Sequence, residues 1–338
     1  MNLADVQAVK QLLSSPQNIV IVPHKNPDGD AIGSTLALWH YLHNQGHKAT
    51  VISPNDYPKF LKWMPGNDHI LNYEKENRQA KSKLNKASLI FTLDFNRLGR
   101  SGQMEETLQN TKASLVMIDH HQDPANYATI KYSDASMSST CEMVYNFIEF
   151  QGDINLITPE MANCLYAGIM TDTGSFKFAS TTSKTHRVVA DLIDRGARNS
   201  AIHNAVFDTN TPNRLQLLGC ALKNMVILED YKTVYITLSQ DELDAHQFKK
   251  GDTEGFVNYG LTLEAIVFAV IFIENKEEGI IKISFRSVGD FFVDEFANAH
   301  FEGGGHHNAA GGKSVRSLPD TVAYFRSLLD DYKDKLNA

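Results

Sequence analysis

Apolar runs in the first half of the chain end in aspartate and histidine side chains. The first run, residues 18–22, passes into residues 23–34, which carry His24, Asp28 and Asp30 ahead of a helix-like segment. A turn that joins a strand to a helix is the usual place for a ligand site in an open α/β sheet. Gly29, between the two aspartates, is interpreted as permitting a tight turn. Because imidazoles and carboxylates pack poorly and bind metals well, the segment predicts a metal site at a sheet edge.

Strand-like and helix-like segments alternate through this half of the chain. The strand-like runs are residues 19–22, 49–52, 88–93 and 114–118, and residues 138–150 and 159–170 have the pattern of helices. This βαβ alternation predicts a doubly wound, mainly parallel sheet with helices on both faces. A chain of 338 residues also exceeds the usual size of a single core. We therefore expect two domains with a cleft between them.

The second half of the chain has a different pattern, typical of a smaller sheet with hairpins. Its predicted strands are residues 225–228, 233–238, 263–273 and 280–285, with helices at 293–299 and 318–336. The predicted class is therefore α/β, with a first domain in residues 1–185, a helical interdomain linker in 186–218 and a smaller α/β domain with a mixed sheet in 219–338.

Three further segments place acids and histidines at the ends of predicted elements. Asp94 follows the run 88–93, Asp172 follows the second helix, and Asp119, His120 and His121 follow the run 114–118. The carboxyl ends of parallel strands share one edge of a sheet, so these side chains are expected to converge there. Packing does not explain them, because buried unpaired carboxylates cost several kcal/mol. Together they predict a metal site.

Two other polar groups are interpreted without a functional role. His40, His43 and His47 have helical spacing, but no carboxylate cluster accompanies them, and they are interpreted as ordinary surface or core histidines. The basic stretch at residues 81–86 is interpreted as a solvated helix face.

One glycine-rich motif stands out in the second half of the chain. Residues 303–312 contain Gly303, Gly304 and Gly305, followed by His306 and His307. Glycine runs leave backbone N–H groups free to close around an anion, and residues 308–310 are predicted to begin a helix whose N-terminus favours phosphate. Arg286, at the end of a predicted strand, is a candidate for the same phosphate. The alternative interpretation is a flexible glycine linker.

Composition and charge exclude several classes of function. The formal net charge of −8 argues against tight, sequence-independent binding of long nucleic acids, which requires many Lys and Arg contacts to phosphate. A short anionic substrate remains compatible with it. No apolar run approaches the roughly 20 residues of a membrane helix, and the first residues lack the pattern of a signal peptide. The three cysteines are widely spaced and imply no disulfide framework. A cytoplasmic protein without a membrane partner is expected.

These motifs resemble, in order, the four motifs of the DHH phosphoesterase superfamily, and the glycine motif resembles that of the DHH-associated C-terminal domain. Together they span residues 24 to 312. The short two-domain arrangement is similar to the branch that contains the oligoribonucleases (nanoRNases) and 3′-phosphoadenosine 5′-phosphate phosphatases. RecJ-type exonucleases are longer, and family II inorganic pyrophosphatases carry a different second domain. The matching residues are His24, Asp28, Asp30, Asp94, Asp119, His120, His121, Asp172 and Gly303 to His306.

The resemblance implies a site for two Mn²⁺ ions, although Mg²⁺, Co²⁺ or Zn²⁺ would also suit the ligands. Asp94 would bridge the two ions. Asp119 would orient His120 or support its loop. His121 would face the substrate and either hydrogen-bond the phosphoryl group or protonate the leaving oxygen. The implied ligands are His24, Asp28 and Asp94 for one ion, and Asp30, Asp94, His120 and Asp172 for the other.

The resemblance also implies the substrate and the groups that hold it. The expected activity is that of an exoribonuclease that converts short single-stranded RNA to mononucleotides, and that also removes phosphate from 3′-phosphoadenosine 5′-phosphate. The substrate would be held by His306, Arg286 and the amides of Gly303, Gly304 and Gly305. Arg97 and Arg100, which follow Asp94, are weaker candidates for a phosphate contact.

Several alternatives remain open at this point. A cyclic or linear dinucleotide phosphodiesterase, or another small phosphoester phosphatase, would use the same metal ligands. A nucleotide-binding sensor would keep the fold without catalysis, and a polyphosphatase would ignore the base. The sequence also leaves open the direction of attack, the preferred chain length, the oligomeric state (a homodimer included) and the role of His307.

Overall fold

The computed structural model describes residues 1–338, which divide into two compact units, Met1–Thr209 and Asn210–Ala338. Each unit has its own six-stranded sheet. The predicted linker, residues 186–218, does not form a separate unit, because two of its three helices pack in the first unit and the third packs in the second. No helix combines the length and the apolar composition that a membrane span requires.

The sheet of the first unit is entirely parallel, with the strand order β3-β2-β1-β4-β5-β6. The four predicted strands are confirmed, and they are joined by two short edge strands that the sequence pattern did not indicate. The strands are β1 (Asn18–Val22), β2 (Lys48–Ser53), β3 (Leu71–Asn72), β4 (Leu89–Leu93), β5 (Ser114–Asp119) and β6 (Ile130–Ser133).

Side-chain caps begin the helices that approach the carboxyl edge of this sheet. Ser139, the N-cap of α5, accepts a hydrogen bond from the Glu142 amide. Thr158, the N-cap of α6, accepts one from the Met161 amide and is followed by Pro159 at the first helical position. The helices are α1 (Leu3–Leu12), α2 (Gly29–Asn44), α3 (Asn77–Lys86), α4 (Glu105–Gln109), α5 (Thr140–Gln151), α6 (Pro159–Asp172), α7 (Ser183–Asp194) and α8 (Asn199–Phe207).

Apolar cores cover both faces of the first sheet. Alternate residues of β1 serve opposite cores: Ile19 and Ile21 pack with α2, α5 and α6, whereas Val20 and Val22 pack with α3 and α4. The prediction of a doubly wound sheet is therefore confirmed. This arrangement places the ends of β1, β4 and β5 on one edge.

The second unit contains a mixed sheet, as predicted, and its strand order is β11-β12-β10-β9-β8-β7. Only β8 and β9 are parallel neighbours. Helices α11 and α12 cover one face, while α9 and α10 pack on the other. The elements are α9 (Pro212–Lys223), β7 (Val226–Leu228), β8 (Thr233–Leu238), α10 (Gln240–Ala245), β9 (Phe268–Asn275), β10 (Ile280–Ser287), α11 (Val293–His300), β11 (Gly304–His306), β12 (Ala309–Ser314) and α12 (Leu318–Asn337).

The prediction that residues 308–310 begin a helix is wrong. β11 and β12 form an antiparallel hairpin across this segment, so the glycine motif is part of the sheet and is neither a linker nor a helix start. A Cβ atom on Gly303 would lie 2.1 Å from the Gly311 carbonyl oxygen. Glycine is therefore required here for a close approach of two backbones.

Candidate metal centre

The turn between β1 and α2 uses one carboxylate for two purposes. Asp28 is the N-cap of α2, where its Oδ1 accepts from the amides of Asp30 and Ala31, both at 3.1 Å. Its other oxygen lies 3.6 Å from Nε2 of His24. The imidazole is held from behind, because its Nδ1 lies 2.8 Å from the Lys25 carbonyl oxygen. The helix cap therefore fixes the carboxylate that faces His24.

Gly29 has a different role from the one the sequence suggested. It lies inside α2 and has no positive φ angle. A Cβ atom there would lie 2.3 Å from Oγ1 of Thr171, next to Asp172 at the end of α6. Glycine at this position therefore lets the first turn of α2 approach the end of α6, and so brings Asp30 towards Asp172.

Asp94 lies between two histidines. It follows β4 in the left-handed region, with a φ angle of 65°, a conformation that aspartate adopts more readily than most residues. Its Oδ2 lies 3.4 Å from Nε2 of His24, and its Oδ1 lies 3.5 Å from Nε2 of His120. One buried carboxylate thus presents an oxygen to each histidine, the arrangement required of a bridging ligand.

The end of β5 supplies an aspartate and two histidines that point to different partners. Nδ1 of His121 lies 2.8 Å from Oδ1 of Asp119, while Nδ1 of His120 lies 3.3 Å from the Met137 carbonyl oxygen. Of the two roles expected for Asp119, the orientation of His120 is not what the contacts show, because the carboxylate contacts His121 instead. Both histidines lie beyond β5, which ends at Asp119, and their rings are 5.0 Å apart.

The start of α5 holds the carboxylates of Asp30 and Asp94, and the sequence analysis missed this contact. The amides of Thr140 and Cys141 donate to the two oxygens of Asp30, at 2.6 and 2.8 Å. The Thr140 hydroxyl also donates to Oδ1 of Asp94 at 3.0 Å. The first amides of a helix have no acceptor within the helix, and together with the helix dipole they favour a negative charge at this end. The Ser139 N-cap was a signal for this helix start, but nothing in the sequence indicated that the start faces the carboxylates.

All six predicted metal ligands thus meet at one edge of the first sheet. The candidate ligand atoms form three groups, and within each group the atoms lie within 4.8 Å of one another. None of the four ligand aspartates forms an ion pair with lysine or arginine. The groups are His24, Asp28 and Asp94; Asp30, His120 and Asp172; and Asp94, Asp119 and His121.

The electrostatics of the cluster favour added positive charge. Burial lowers the pKa of His24, but hydrogen bonds to and charges on Asp28 and Asp94 outweigh burial and raise that pKa to about 10. Burial raises the pKa of Asp94, but His24, His121 and His120 together hold it well below its usual range. Protons on the histidines therefore compensate part of the carboxylate charge.

The pKa values of Asp30 and Asp172 are shifted in the opposite direction from that of Asp94. Burial raises the pKa of both carboxyls, and the negative charges of neighbouring aspartates, Asp94 among them, raise it further. Nε2 of His120 lies 3.4 Å from Asp172 and 3.9 Å from Asp30. The site therefore has more carboxylates than histidines can neutralise. Mixed imidazole and carboxylate ligands around such a deficit of positive charge fit divalent cations such as Mn²⁺.

The second unit brings together two of the predicted substrate-binding residues. His306 and Arg286 both pair with Ala309, from opposite sides, in the register of β11, β12 and β10. Residues paired on neighbouring strands share a sheet face, so His306 and Arg286 lie on one face on either side of Ala309, with Cα atoms about 10 Å apart. Gly304 and Gly305 lie in β11 beside His306.

His307, whose role the sequence left open, belongs to the framework of the second unit. Its ring stacks on Phe292 at 4.1 Å, and its Nδ1 lies 3.2 Å from Asp294. Arg97, in the first unit, is exposed, and Arg100 is half-buried.

His40 and His43 lie in α2, and His47 lies between α2 and β2; none of the three belongs to the acidic cluster. His40 contacts the Pro65 carbonyl oxygen, His43 stacks on Trp39, and Nδ1 of His47 accepts from the Gln17 amide. Their interpretation as ordinary surface or core histidines agrees with these contacts.

Comparison with known families identifies the chain. The N-terminal domain model of the DHH family matches residues 18–169, and the DHHA1 domain model matches residues 231–333. The chain belongs to the DHH family. The bifunctional oligoribonuclease and PAP phosphatase NrnA of Thermus thermophilus is 29% identical over 310 residues, which cover 92% of this chain and 88% of that protein. This DHH protein is thus a phosphoesterase, as predicted.

Other relatives extend the comparison. The cyclic-di-AMP phosphodiesterase GdpP of Bacillus subtilis is 26% identical over 343 residues, covering 96% of this chain but 49% of GdpP. The crystal structure of an exopolyphosphatase-related protein from Bacteroides fragilis has a TM-score of 0.96 and 37% identity, covering 100% of this chain and 98% of that one. The structure of RecJ with Mn²⁺ from Thermus thermophilus shares the fold, with a TM-score of 0.58, 12% identity, and coverage of 99% of this chain and 55% of that chain.

Proposed function

We propose that this DHH phosphoesterase is a Mn²⁺-dependent exoribonuclease that hydrolyses short oligoribonucleotides to mononucleotides and also dephosphorylates 3′-phosphoadenosine 5′-phosphate. The observation that carries the proposal is the position of Asp94, whose two oxygens lie 3.4 Å from His24 and 3.5 Å from His120. A carboxylate placed in this way joins two groups of ligands into one centre. Such centres are typical of enzymes that hydrolyse phosphoesters.

The distances support the two ligand sets that the resemblance implied. His24, Asp28 and Asp94 would hold one ion; Asp30, Asp94, His120 and Asp172 would hold the other. Bound metal pairs acidify water and neutralise charge on phosphoryl oxygens. RecJ of Thermus thermophilus, which shares the fold, has been crystallised with Mn²⁺ and with Mg²⁺. Manganese is the ion proposed for the present chain.

His121 is the group proposed to act on the substrate. Because the Asp119 carboxylate can only accept, the hydrogen on His121 lies on Nδ1, at 2.8 Å from that carboxylate. Nε2 is then the atom that can hydrogen-bond the phosphoryl group or deliver a proton to the leaving oxygen. Asp119 would stabilise the imidazolium form during that transfer, as a buried carboxylate does in other histidine pairs.

The substrate class follows from the relatives and from the second unit. NrnA of Thermus thermophilus, which is described as an oligoribonuclease and PAP phosphatase, matches this chain across both units. In the second unit, His306 and Arg286 lie on one sheet face on either side of Ala309, and both carry groups that can bind a phosphate or a base edge. A net charge of −8 also favours a short substrate over a long one.

The test is a side-by-side assay of the purified chain with Mn²⁺. The substrates are RNA dimers through about 10-mers, 3′-phosphoadenosine 5′-phosphate, cyclic and linear dinucleotides, polyphosphate and pyrophosphate. We expect mononucleotides from the short RNAs, with rates that fall as the RNA lengthens, and AMP from 3′-phosphoadenosine 5′-phosphate.

The outcomes separate the alternatives. Hydrolysis of pyrophosphate or polyphosphate alone would overturn the nuclease proposal. A strong preference for cyclic dinucleotides over linear RNA dimers would instead indicate the activity of the GdpP-like relative. Binding without hydrolysis of any substrate would favour a nucleotide sensor.

A further inference from the structure

A basic groove lies at the edge of the first sheet opposite the metal ligands. It is bounded by α3 and by the amino-terminal ends of β1 and β2, at Asn18 and Lys48, whereas the candidate ligands follow the carboxyl ends of the strands. A five-residue strand separates the two edges by about 16 Å. We call this cavity the α3 groove. Its volume is about 500 Å³, within the range of small-molecule sites.

Unpaired cations line both walls of the α3 groove. Lys48 comes from β2, while Arg78, Lys83 and Lys86 come from α3. None of these side chains forms an ion pair, and no aspartate or glutamate lines the groove. In a chain with a net charge of −8, such a convergence of cations creates a local positive field. The groove therefore favours an anion with several negative charges.

The spacing of α3 explains why these side chains face the groove. Ala80 and Leu84 are buried in the core beneath the helix. The groove side of α3 includes four residues with the i, i+3, i+4, i+7 spacing of one helix face, namely Gln79, Ser82, Lys83 and Lys86. The basic stretch that the sequence analysis interpreted as a solvated face thus has one side directed into a cavity.

A second cavity of about 310 Å³ adds an aromatic end to the α3 groove, with which it shares Thr50, Gln79 and Lys83. Trp39 lies there between two histidines, stacked with His43 at 5.1 Å and with His69 at 4.9 Å. Exposed imidazole rings of this kind can stack on a base, and the amide and hydroxyl groups nearby can hydrogen-bond its edge.

We infer that the α3 groove is a second binding site, separate from the metal centre, for a nucleoside polyphosphate. The phosphates bind Lys48, Lys83 and Lys86, and the base lies towards His43 and His69. Neither the catalytic proposal nor the similarity to NrnA depends on this site. A nucleotide bound there would be an effector and not a substrate, because no candidate metal ligand lines the groove.

Trp39 supplies a local reporter for the test. The chain has two tryptophans, so the Trp63→Phe variant leaves Trp39 as the only one. The Mn²⁺-loaded full chain carrying this change is titrated with adenosine 5′-(β,γ-imido)triphosphate, tripolyphosphate and adenosine in separate experiments. We expect saturable fluorescence changes with the triphosphate analogue. Equilibrium dialysis of the analogue against the unsubstituted chain provides a second readout if the reporter variant does not fold.

Charge reversal on α3 provides a matched pair of variants. Lys83→Glu replaces one cation of the groove with a carboxylate, whereas Lys81→Glu makes the same single charge reversal on the same helix outside the groove. We expect the first variant to weaken binding about tenfold or more, and Lys81→Glu to weaken it less than about twofold.

The outcomes decide both the site and its ligand. Equal affinities for tripolyphosphate and for the nucleotide analogue would show that the base makes no contact, and would overturn the assignment of a nucleoside polyphosphate. Equal losses in the Lys81→Glu and Lys83→Glu variants, or no saturable binding, would overturn the site itself. Binding of adenosine as tight as that of the analogue would also overturn it.

Discussion

The end of β5 and the glycine hairpin of the second unit both attract attention in the sequence, but they differ in how well they could be interpreted. Asp119 and His121 are buried polar side chains that packing does not require, so chemistry was the better explanation. Gly303, by contrast, has a purely structural reason, because any Cβ atom there would meet the Gly311 carbonyl oxygen. A polar side chain that costs free energy to bury therefore indicates function more reliably than a glycine does.

The largest expected effect tests the shared position of Asp94. Asp94→Asn keeps the shape but removes the charge that both ligand groups use. We expect kcat/KM on an RNA dimer to fall about a thousandfold or more, since metal-based stabilisation is worth several kcal/mol, and the Mn²⁺ content of the protein to fall. Normal metal content in this variant would show that Asp94 does not join the two groups.

His121 is expected to separate catalysis from metal binding. His121→Ala should lower kcat about a hundredfold or more, as loss of a general acid does, while metal analysis finds nearly the same Mn²⁺ content. Asp119→Asn should reproduce part of this loss, because it alters the partner of Nδ1. If His121→Ala instead lost its metal, His121 would have to be counted among the ligands.

The start of α5 is expected to have a smaller effect, through the ligands that it holds. Thr140→Val removes the hydroxyl donor to Asp94 but keeps the shape of the side chain. We expect the Mn²⁺ concentration for half-maximal activity to rise about tenfold. Thr140→Ser keeps the donor and should remain near the original value, and calorimetric Mn²⁺ titration of both variants checks the effect without substrate. Equal behaviour of the two variants would contradict this role.

In the glycine hairpin, the effect of an added Cβ atom on stability should depend on the position of the glycine. Gly303→Ala places a Cβ atom 2.1 Å from a carbonyl oxygen, whereas Gly311→Ala would meet only an ordinary contact at 3.7 Å. We expect Gly303→Ala to lower the free energy of unfolding by about 1–3 kcal/mol, and Gly311→Ala to change it by less than about 0.5 kcal/mol, as measured in urea. Equal losses would show that backbone approach is not why glycine occupies position 303.

The smallest expected signal is the release of protons on metal loading. The pKa of His24 is raised to about 10 in the metal-free chain, so His24 is protonated at pH 7 and must lose that proton to bind a metal. Mn²⁺ affinity should therefore rise with pH over the neutral range. In the metal-free chain the same shift stabilises the fold fully below pH 6.5, and this contribution is lost as the pH approaches 10. Calorimetry in two buffers of different ionisation enthalpy measures the proton; identical enthalpies would contradict its release.

The sequence predicted the elements whose signals are local. The strand β1, the helix with Thr158 and Pro159 at its start, and the order of the acidic strand ends could all be inferred from short patterns. The hairpin at residues 308–310 could not, because alanine and glycine carry no strong preference and the pairing of β12 with β10 decides the conformation.

The missed parts of the candidate site are long-range contacts. Thr140 lies 110 residues from Asp30 in sequence, and no local pattern links them. The pairing of Asp119 with His121 is a short-range contact, but both histidines follow the end of β5, where strand alternation does not indicate which of them the carboxylate contacts. The basic side of α3 was visible as charge, but its position beside a cavity depends on the packing of β1 and β2.

The central claim is that the aspartates and histidines at this sheet edge form one two-metal centre that hydrolyses short RNA. The most direct test is to titrate metal-free protein with Mn²⁺ while following both the bound metal and the cleavage of an RNA dimer. We predict no cleavage without metal, and full activity at two ions bound per chain. Undiminished cleavage of the dimer after exhaustive chelation would contradict the claim.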